Sequence, residues 1–433
     1  MKITVVGLGK LGLPLLAVLA NSKFSTHGYD KNLNWINQLS IGGTHFDEPQ
    51  LSEMLLSANS NISYHSNIFE ACKESEIIFI IVPTPSGADG KFSNEILKEI
   101  LKNLAEVIKT SSMFQVINIV STVMPGSCER DFIPLIEKLS GKSCGTDFGL
   151  TYNPEFIALG SVIKNMQYPD MHLIGASDER SGRLVSNTIS RFVLSDPQTR
   201  IMNLTEAELV KISVNNFVTM KISFANMMMQ ICDSFLGTNV DVVTEAIGLD
   251  SRIGSRYLKA GTSYGGPCFP RDTRALDTVL RDVGIEASIP AAVDEMNSAH
   301  TRYVSTQILE LLETSKQKTL LLVGLAYKEN TKVIEESASL KLANQLVGYP
   351  IQIFGWDPVV KENQSEFPHN IQLREDLPEA LAEGNVIAVL RIISSEDRNF
   401  FKSLTGEKTV FDPWRQFLKT DVGDAKLVQL GKS

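Results

Sequence analysis

The stretch Ile3-Thr4-Val5-Val6-Gly7-Leu8-Gly9-Lys10-Leu11-Gly12 decides the fold. Its first four residues read as a buried strand, and the glycine-rich turn after them leads into a helical run from about Leu11. Glycines in the pattern G-x-G-x-x-G between a strand and a helix form a loop shaped for a pyrophosphate. Gly7 permits the tight turn, Gly9 lets phosphates approach the backbone, and Gly12 lets helix and strand pack closely. The helix start then presents unpaired N–H groups to the anion. Asp30 stands 18 residues beyond Gly12, at the end of the next strand, 25–29. A carboxylate there accepts ribose hydroxyls and repels a 2′-phosphate, so the pattern predicts NAD as the cofactor.

Working outward, Ile77-Ile78-Phe79-Ile80-Ile81-Val82 and Gln115-Val116-Ile117-Asn118-Ile119-Val120 are two more near-continuous apolar strands. Such strands, separated by helices, predict a parallel sheet covered on both faces. Two turns, Val82-Pro83-Thr84-Pro85 and Ser121-Thr122-Val123-Met124-Pro125-Gly126, fall at C-terminal strand ends, where open sheets bind ligands. From Thr205 the pattern changes. Thr205-Glu206-Ala207-Glu208 reads as a capping box with Thr205 as N-cap and Glu208 reaching back. Helical periodicity then runs without Gly or Pro to Leu236, a helix of about 45 Å. A helix that long bridges domains or forms a dimer seam. A further helical segment is predicted at 289–312.

A second α/β unit starts at Lys318, with strands at Thr319-Leu320-Leu321-Leu322-Val323-Gly324, 351–357, 385–390 and 409–412. It has no second G-x-G-x-x-G and is expected to hold something other than a dinucleotide. The expected class is α/β: two Rossmann-like, doubly wound parallel-sheet domains joined by a long central helix. The expected boundaries are 1–200 for the NAD-binding domain, 201–312 for a central helical and dimerisation domain, and 313–433 for the second Rossmann-like domain.

Bulk properties agree with this organisation. A chain of 433 residues is too long for one core, and 43% apolar residues supply enough burial for several. No apolar run approaches the roughly 18 residues that span a bilayer, and the chain goes straight into a strand with no signal peptide ahead. The five cysteines are odd in number and form no CxxC pattern, which points to reduced thiols in the cytoplasm and to no metal site. A net charge of −9 argues against nucleic acid as a partner.

One cysteine stands apart. Gly265-Gly266-Pro267-Cys268-Phe269-Pro270-Arg271-Asp272 puts a thiol on a glycine-lined turn, and Arg271 as a nearby cation would raise its thiolate fraction. Cys72, Cys128, Cys144 and Cys232 read as small buried hydrophobes. A hydride acceptor together with a covalent thiol lets an aldehyde be trapped and oxidised again, taking an alcohol to an acid. On the long helix, Lys211 and Asn215 are spaced i,i+4 and share a face. An ammonium and an amide side by side can stabilise an oxyanion, although such a pair more often belongs to a solvated surface. Asn153-Pro154-Glu155-Phe156 sets a carboxylate beside a proline-fixed bend.

Taken in order, these elements resemble the UDP-glucose/GDP-mannose dehydrogenase family over nearly the whole chain. The resemblance rests on the glycine loop, Val82-Pro83-Thr84-Pro85, Ser121-Thr122-Val123, Asn153-Pro154-Glu155-Phe156, Glu208-Leu209-Val210-Lys211 with Asn215, the Cys268 motif and Gly324-Leu325-Ala326-Tyr327-Lys328. It implies NAD in the first domain, a UDP-sugar in the second and a homodimer through the long helix. Thr84, Thr122, Glu155 and Arg271 would join the glycine loop and Asp30 around the cofactor. Cys268 would be the nucleophile, and Lys211 and Asn215 would steady the oxyanion. Asp272 and Thr122 would position or activate water, and Glu155 would help with substrate and proton transfer. Tyr152, Tyr257, Lys259, Gly261, Gly265 and Lys328 would also contact substrate, and Arg252 would reach a neighbouring subunit's site.

The implied reaction is two successive oxidations at a sugar C6 hydroxyl, through a Cys268 thiohemiacetal and thioester, to a uronate. UDP-glucose is the first expectation for the substrate. The alternatives are the same chemistry on GDP-mannose or a UDP-N-acetylhexosamine, a two-electron hydroxyacid-type dehydrogenase, and a non-catalytic binding protein. Some positions depart from the family pattern: Trp35, Ala158-Leu159, Met227, Glu335 and Pro413-Trp414-Arg415.

Overall fold

Apolar runs of four or five residues, buried on both faces, become the central strands of two separate sheets. The computed structural model describes residues 1–157, 160–360 and 367–432, so Ala158 and Leu159 lie outside the described residues. The chain divides into two units, Met1–Ile212 and Ser213–Ser433.

The first unit holds β1 (Lys2–Val6), β2 (Ser25–Tyr29), β3 (Ile62–His65), β4 (Ile77–Ile80), β5 (Gln115–Ile119), β6 (Phe148–Tyr152), β7 (Met171–Ala176) and β8 (Gln198–Met202). They form one sheet in the order β3-β2-β1-β4-β5-β6-β7-β8. The first six strands in that order are parallel, which is the doubly wound arrangement. β7 meets β6 antiparallel and β8 follows β7 in parallel, so the last two strands run against the others. Alternation along the strands feeds two cores. Ile3, Val5, Ile77 and Phe79 pack on one face with the helix Gly12–Asn21. Val6, Ile78 and Ile80 pack on the other with Leu97, Leu101 and Leu104 of the helix Glu95–Thr110. Gly12–Asn21 carries no charged residue and is buried from Gly12 through Ala20, as a helix apolar all round must be.

The second unit holds β9 (Thr319–Val323), β10 (Gln352–Trp356), β11 (Ile371–Arg374), β12 (Val386–Val389), β13 (Thr409–Asp412) and β14 (Lys426–Gln429). Their order is β11-β10-β9-β12-β13-β14, parallel throughout. This repeats the strand order of the first six strands of the other unit. The helix Ile289–Thr314 matches the predicted segment and packs Val304, Ile308 and Leu312 into the core of this unit.

A single helix, Leu204–Asp233, starts in the first unit and ends in the second. It stops three residues short of the expected Leu236, in a turn. Its cap is also not the expected one. Asn203 Oδ1 accepts from the Glu206 N–H (2.8 Å), and Glu206 Oε2 accepts from the Asn203 N–H (3.1 Å), so the reciprocal box lies two residues earlier. Thr205 instead donates to Glu129 (3.1 Å). Glu208 is fully buried and accepts from the N–H groups of Gly126 and Cys128, the latter at 2.9 Å. The carboxylate is drawn away from its own helix by the amides of the loop after β5.

Candidate functional site

In the first unit the glycine loop has the geometry its sequence predicts. Gly7 has φ +93°, and a Cβ built there would lie 2.1 Å from the Ile81 carbonyl oxygen. A Cβ at Gly12 would lie 1.8 Å from the Gly7 oxygen, so only glycine allows this helix to approach this strand. Around Gly9 a Cβ would meet nothing within 4 Å, which leaves the backbone open to a ligand. Asp30 accepts from the N–H of Leu8 through Oδ2 and of Asn32 through Oδ1, both at 2.8 Å, and is buried. The carboxylate therefore ties the loop to the end of β2. Lys10 is exposed and Leu11 half-buried. An open Gly9, a helix start and a carboxylate at the end of β2 fit a dinucleotide. Trp35 stacks on His45, ring centres 4.1 Å apart and planes 11° apart.

The two turns after β4 and β5 are tied together. Thr84 Oγ1 donates to the Thr122 carbonyl (2.7 Å), and Ser121 Oγ bonds both the N–H and the C=O of Val82 at 2.8 and 2.7 Å. Beyond β6, the Lys211 ammonium donates to the Glu155 carbonyl oxygen (2.6 Å) and lies 4.5 Å from the centre of the Phe156 ring. Burial pushes the Glu155 carboxyl up to about 7, against the pull of that ammonium. Tyr152 corrects an expectation. It has no exposed surface and packs with Phe132, Phe148 and Leu150 in the core, so its side chain is not open to a substrate.

In the second unit Cys268 is exposed, whereas Cys72, Cys128 and Cys232 are buried and Cys144 is half-buried. Cys268 is the N-cap residue of the helix Phe269–Asp282, and its carbonyl accepts from the Asp272 N–H (2.8 Å). A thiol at a helix start lies in a field that favours an anion. The Asp272 carboxylate is buried and accepts from Asn215 Nδ2 (2.6 Å), with Arg271 Nε 3.7 Å away. Burial and then the Cys268 thiol push the Tyr327 hydroxyl up to about 12, keeping it neutral.

Substrate candidates divide by exposure. Lys259 and Tyr257 are exposed, the latter with φ +62° and its ring edge-on to Phe269. Arg252 is 86% exposed and clasped by Asp250 at 2.6 Å. Lys328 is half-buried, its ammonium 5.8 Å from the Tyr327 ring centre. A Cβ on Gly265 would strike the Glu336 carbonyl at 2.1 Å. Gly261 departs from its expected role. A Cβ there would come within 2.4 Å of the Trp414 ring, and both peptide groups of Gly261 are engaged by protein side chains, so it is a packing glycine. Arg415, after Trp414, takes φ +54° and pairs with Asp241 at 2.8 and 2.9 Å. Glu335 gives its carbonyl to the Gly266 N–H (3.1 Å). Met227 is partly exposed on the long helix.

Sequence reading missed a second acid clasp. Asp357, at the end of β10, accepts from the N–H groups of Leu325 and Ala326 at 2.8 and 3.1 Å, as Asp30 does from Leu8. Gly324 (φ +89°) answers to Gly7, and Arg391 lies against it, its guanidinium 3.6 Å from Asp357. The signal was a glycine at one strand end and an aspartate at the next, without the further glycines.

An open glycine loop on a doubly wound sheet, with a second sheet of the same strand order, defines a dinucleotide-binding protein built on two Rossmann-type units. Comparison with known proteins narrows the class. The chain belongs to the UDP-glucose/GDP-mannose dehydrogenase family, matching its NAD binding domain over residues 1–193, its central domain over 205–299 and its UDP binding domain over 321–419. It is 33% identical to YtcA of Bacillus subtilis (strain 168), over 83% of this chain and 82% of that one. It is 28% identical to the UDP-glucose 6-dehydrogenase AglM of Haloferax volcanii, over 97% and 96% of the two chains. Among solved structures it resembles a UDP-glucose dehydrogenase from the hyperthermophilic archaeon Pyrobaculum islandicum, with TM-score 0.88 and 28% identity over 100% and 98% of the chains. The protein is thus an NAD-dependent nucleotide-sugar dehydrogenase. No helix among the described residues is long and apolar enough to cross a membrane.

Proposed function

We propose that this protein oxidises the C6 alcohol of UDP-glucose to the carboxylate, giving UDP-glucuronate, and that Cys268 holds the half-oxidised sugar between the two steps. The observation that carries this reading is the exposed Cys268 thiol at the start of a helix, one turn ahead of the buried Asp272 carboxylate that accepts from Asn215. NAD⁺, when bound, accepts a hydride in each of the two oxidations. Residues 1–200 hold it, through the loop 7–12 and Asp30, with Thr84, Thr122, Glu155 and Arg271 alongside. Residues 313–433 hold the nucleotide, helped by Lys259, Gly265, Lys328, Tyr257 and Arg252.

Glu155, with its carboxyl raised to about 7, takes the C6 hydroxyl proton. The Cys268 sulfur adds to the aldehyde carbon, and the resulting alkoxide is met by the Lys211 ammonium and the Asn215 amide. Loss of the second hydride leaves a thioester. Asp272 and Thr122 direct water onto it, the carbon–sulfur bond breaks, and the thiol is regenerated with the uronate. Residues 201–312 carry the central helices, and an apolar stripe on the long helix joins two copies into a homodimer. Reduced thiols suit the cytoplasm.

The substrate assignment is supported by similarity to the UDP-glucose 6-dehydrogenase AglM and to the UDP-glucose dehydrogenase of Pyrobaculum islandicum. The test is to incubate the purified protein with NAD⁺ and UDP-glucose, with GDP-mannose and UDP-N-acetylglucosamine in parallel, and count NADH against acid formed. The expected result is two NADH per UDP-glucuronate, with conversion to acid falling by about a thousandfold or more in Cys268→Ala. One NADH per product, or full conversion without the thiol, overturns the mechanism. Faster turnover of another nucleotide sugar overturns the substrate.

A further inference from the structure

The segment that leads to the thiol, residues 258–268, contains no strand, and residues 260–264 within it are all buried. Buried peptide groups need partners, and secondary structure supplies none here. Side chains from two helices do so. Asn226 accepts from the Gly261 N–H (2.9 Å) and donates to the Thr262 carbonyl (3.2 Å). Asn297 accepts from the Tyr264 N–H (2.9 Å) and donates to the Tyr264 carbonyl (3.0 Å). Thr301 donates to the Ser263 hydroxyl (2.9 Å). His300 Nε2 meets the Gly261 carbonyl at 2.8 Å, while its Nδ1 faces Gln230 Nε2 at 3.0 Å. Asn297, His300 and Thr301 lie on one face of Ile289–Thr314, and Asn226 and Gln230 on one face of Leu204–Asp233.

His300 is the member whose partners fix its chemistry. A carbonyl only accepts, so Nε2 carries the proton; Nδ1 is then bare and accepts from the Gln230 amide. The ring is 1% exposed, and burial holds it neutral by lowering its basicity to about 4. A neutral imidazole of one tautomer, clamped at both nitrogens, sets the height of the Gly261 peptide.

We infer that His300 is a positioning residue for the reacting thiol: by holding Gly261 it fixes residues 260–264 and thereby the point from which Cys268 attacks. The inference rests on the reading of Cys268 as the nucleophile, and it makes a separate claim about the loop. Gln at this position keeps an N–H for Gly261 and an acceptor for Gln230, whereas Leu keeps bulk and loses both.

The test compares His300→Leu, His300→Gln and Gln230→Leu by thermal melting, by kcat and KM for UDP-glucose and NAD⁺, and by the rate at which iodoacetamide alkylates Cys268, mapped by peptide mass. In His300→Leu, kcat should fall by about tenfold to a hundredfold with KM for NAD⁺ unchanged. Cys268 alkylation should slow by about threefold or more as the sulfur leaves the helix start. His300→Gln should restore both to within about threefold, and Gln230→Leu, which frees only Nδ1, should fall between. If His300→Leu does not fold, the Gln230→Leu and His300→Gln results decide. Wild-type values in His300→Leu or Gln230→Leu, or a His300→Gln as impaired as His300→Leu, overturn the inference. A wild-type protein that makes no uronate would sink the reading of Cys268 instead, and alkylation would still report on the loop.

Discussion

Glu155 is a single carboxyl set to change charge near neutrality, because burial outweighs the Lys211 ammonium nearby. A carboxyl with a folded value near 7 is protonated below that pH and a competent base above it. kcat/KM should therefore rise with pH through about 7, and Glu155→Gln should flatten the rise as well as lower the rate. Linkage gives a second readout with a definite sign. The folded value lies above the ordinary carboxylate value of 4.5, so the folded state binds the proton more tightly. The stability this confers is complete at low pH and is lost as pH climbs from 4.5 to about 7. Glu155→Gln should raise the melting temperature more at pH 8 than at pH 4, and an equal change at both would refute the shift. At this scale Cys268 was legible, because its glycines, proline and charges are all local. Tyr152 and Gly261 were not. The first is enclosed by the neighbouring strands and by core residues of its own unit, and the second is fixed by Trp414, which no pattern around Gly261 announces.

Elements were easier to read than their ends. Strands β1, β4, β5 and β9 stand out because both faces are buried, so nearly every residue is apolar. β8, mostly exposed, carries no such mark. The cap of the long helix shows why ends are ambiguous. Asn203-Leu204-Thr205-Glu206 and Thr205-Glu206-Ala207-Glu208 both satisfy the capping pattern, and only the demand of Gly126 and Cys128 for an acceptor decides between them. Asn203→Ala should accordingly cost about 1 kcal/mol in urea unfolding, while Thr205→Ala should cost much less. Equal costs would restore the later box. The polar side chains that suspend residues 260–264 were also within reach: Asn297, His300 and Thr301 recur at helical spacing on a face otherwise bound for the core.

For the whole molecule, Phe217, Phe224 and Ile231 are exposed at seven-residue intervals along the second half of the long helix, with Met227 between them. That spacing keeps one stripe on one side of the helix, as a helix–helix seam requires, and an uncovered stripe of this kind is a poor surface for water. Phe217→Asp combined with Ile231→Asp should convert a dimer to a monomer in light scattering at micromolar concentration. A wild-type monomer, or a variant that stays dimeric, would remove the stripe as the seam. The repeated strand order of the two units was legible as a second α/β run, but not its shared acid clasp, since Asp357 lacks the flanking glycines that made Asp30 conspicuous.

That second clasp governs timing. Where Gly9 leaves bare backbone in one unit, the matching position in the other is the buried Ala326, so the duplicated fold offers a single glycine loop as a berth for a dinucleotide. The proposed oxidation, taking four electrons through one berth, would have to empty and refill it midway. Its tempo would then depend on how quickly spent carrier departs, and the half-oxidised intermediate would have to be kept from escaping for that whole interval.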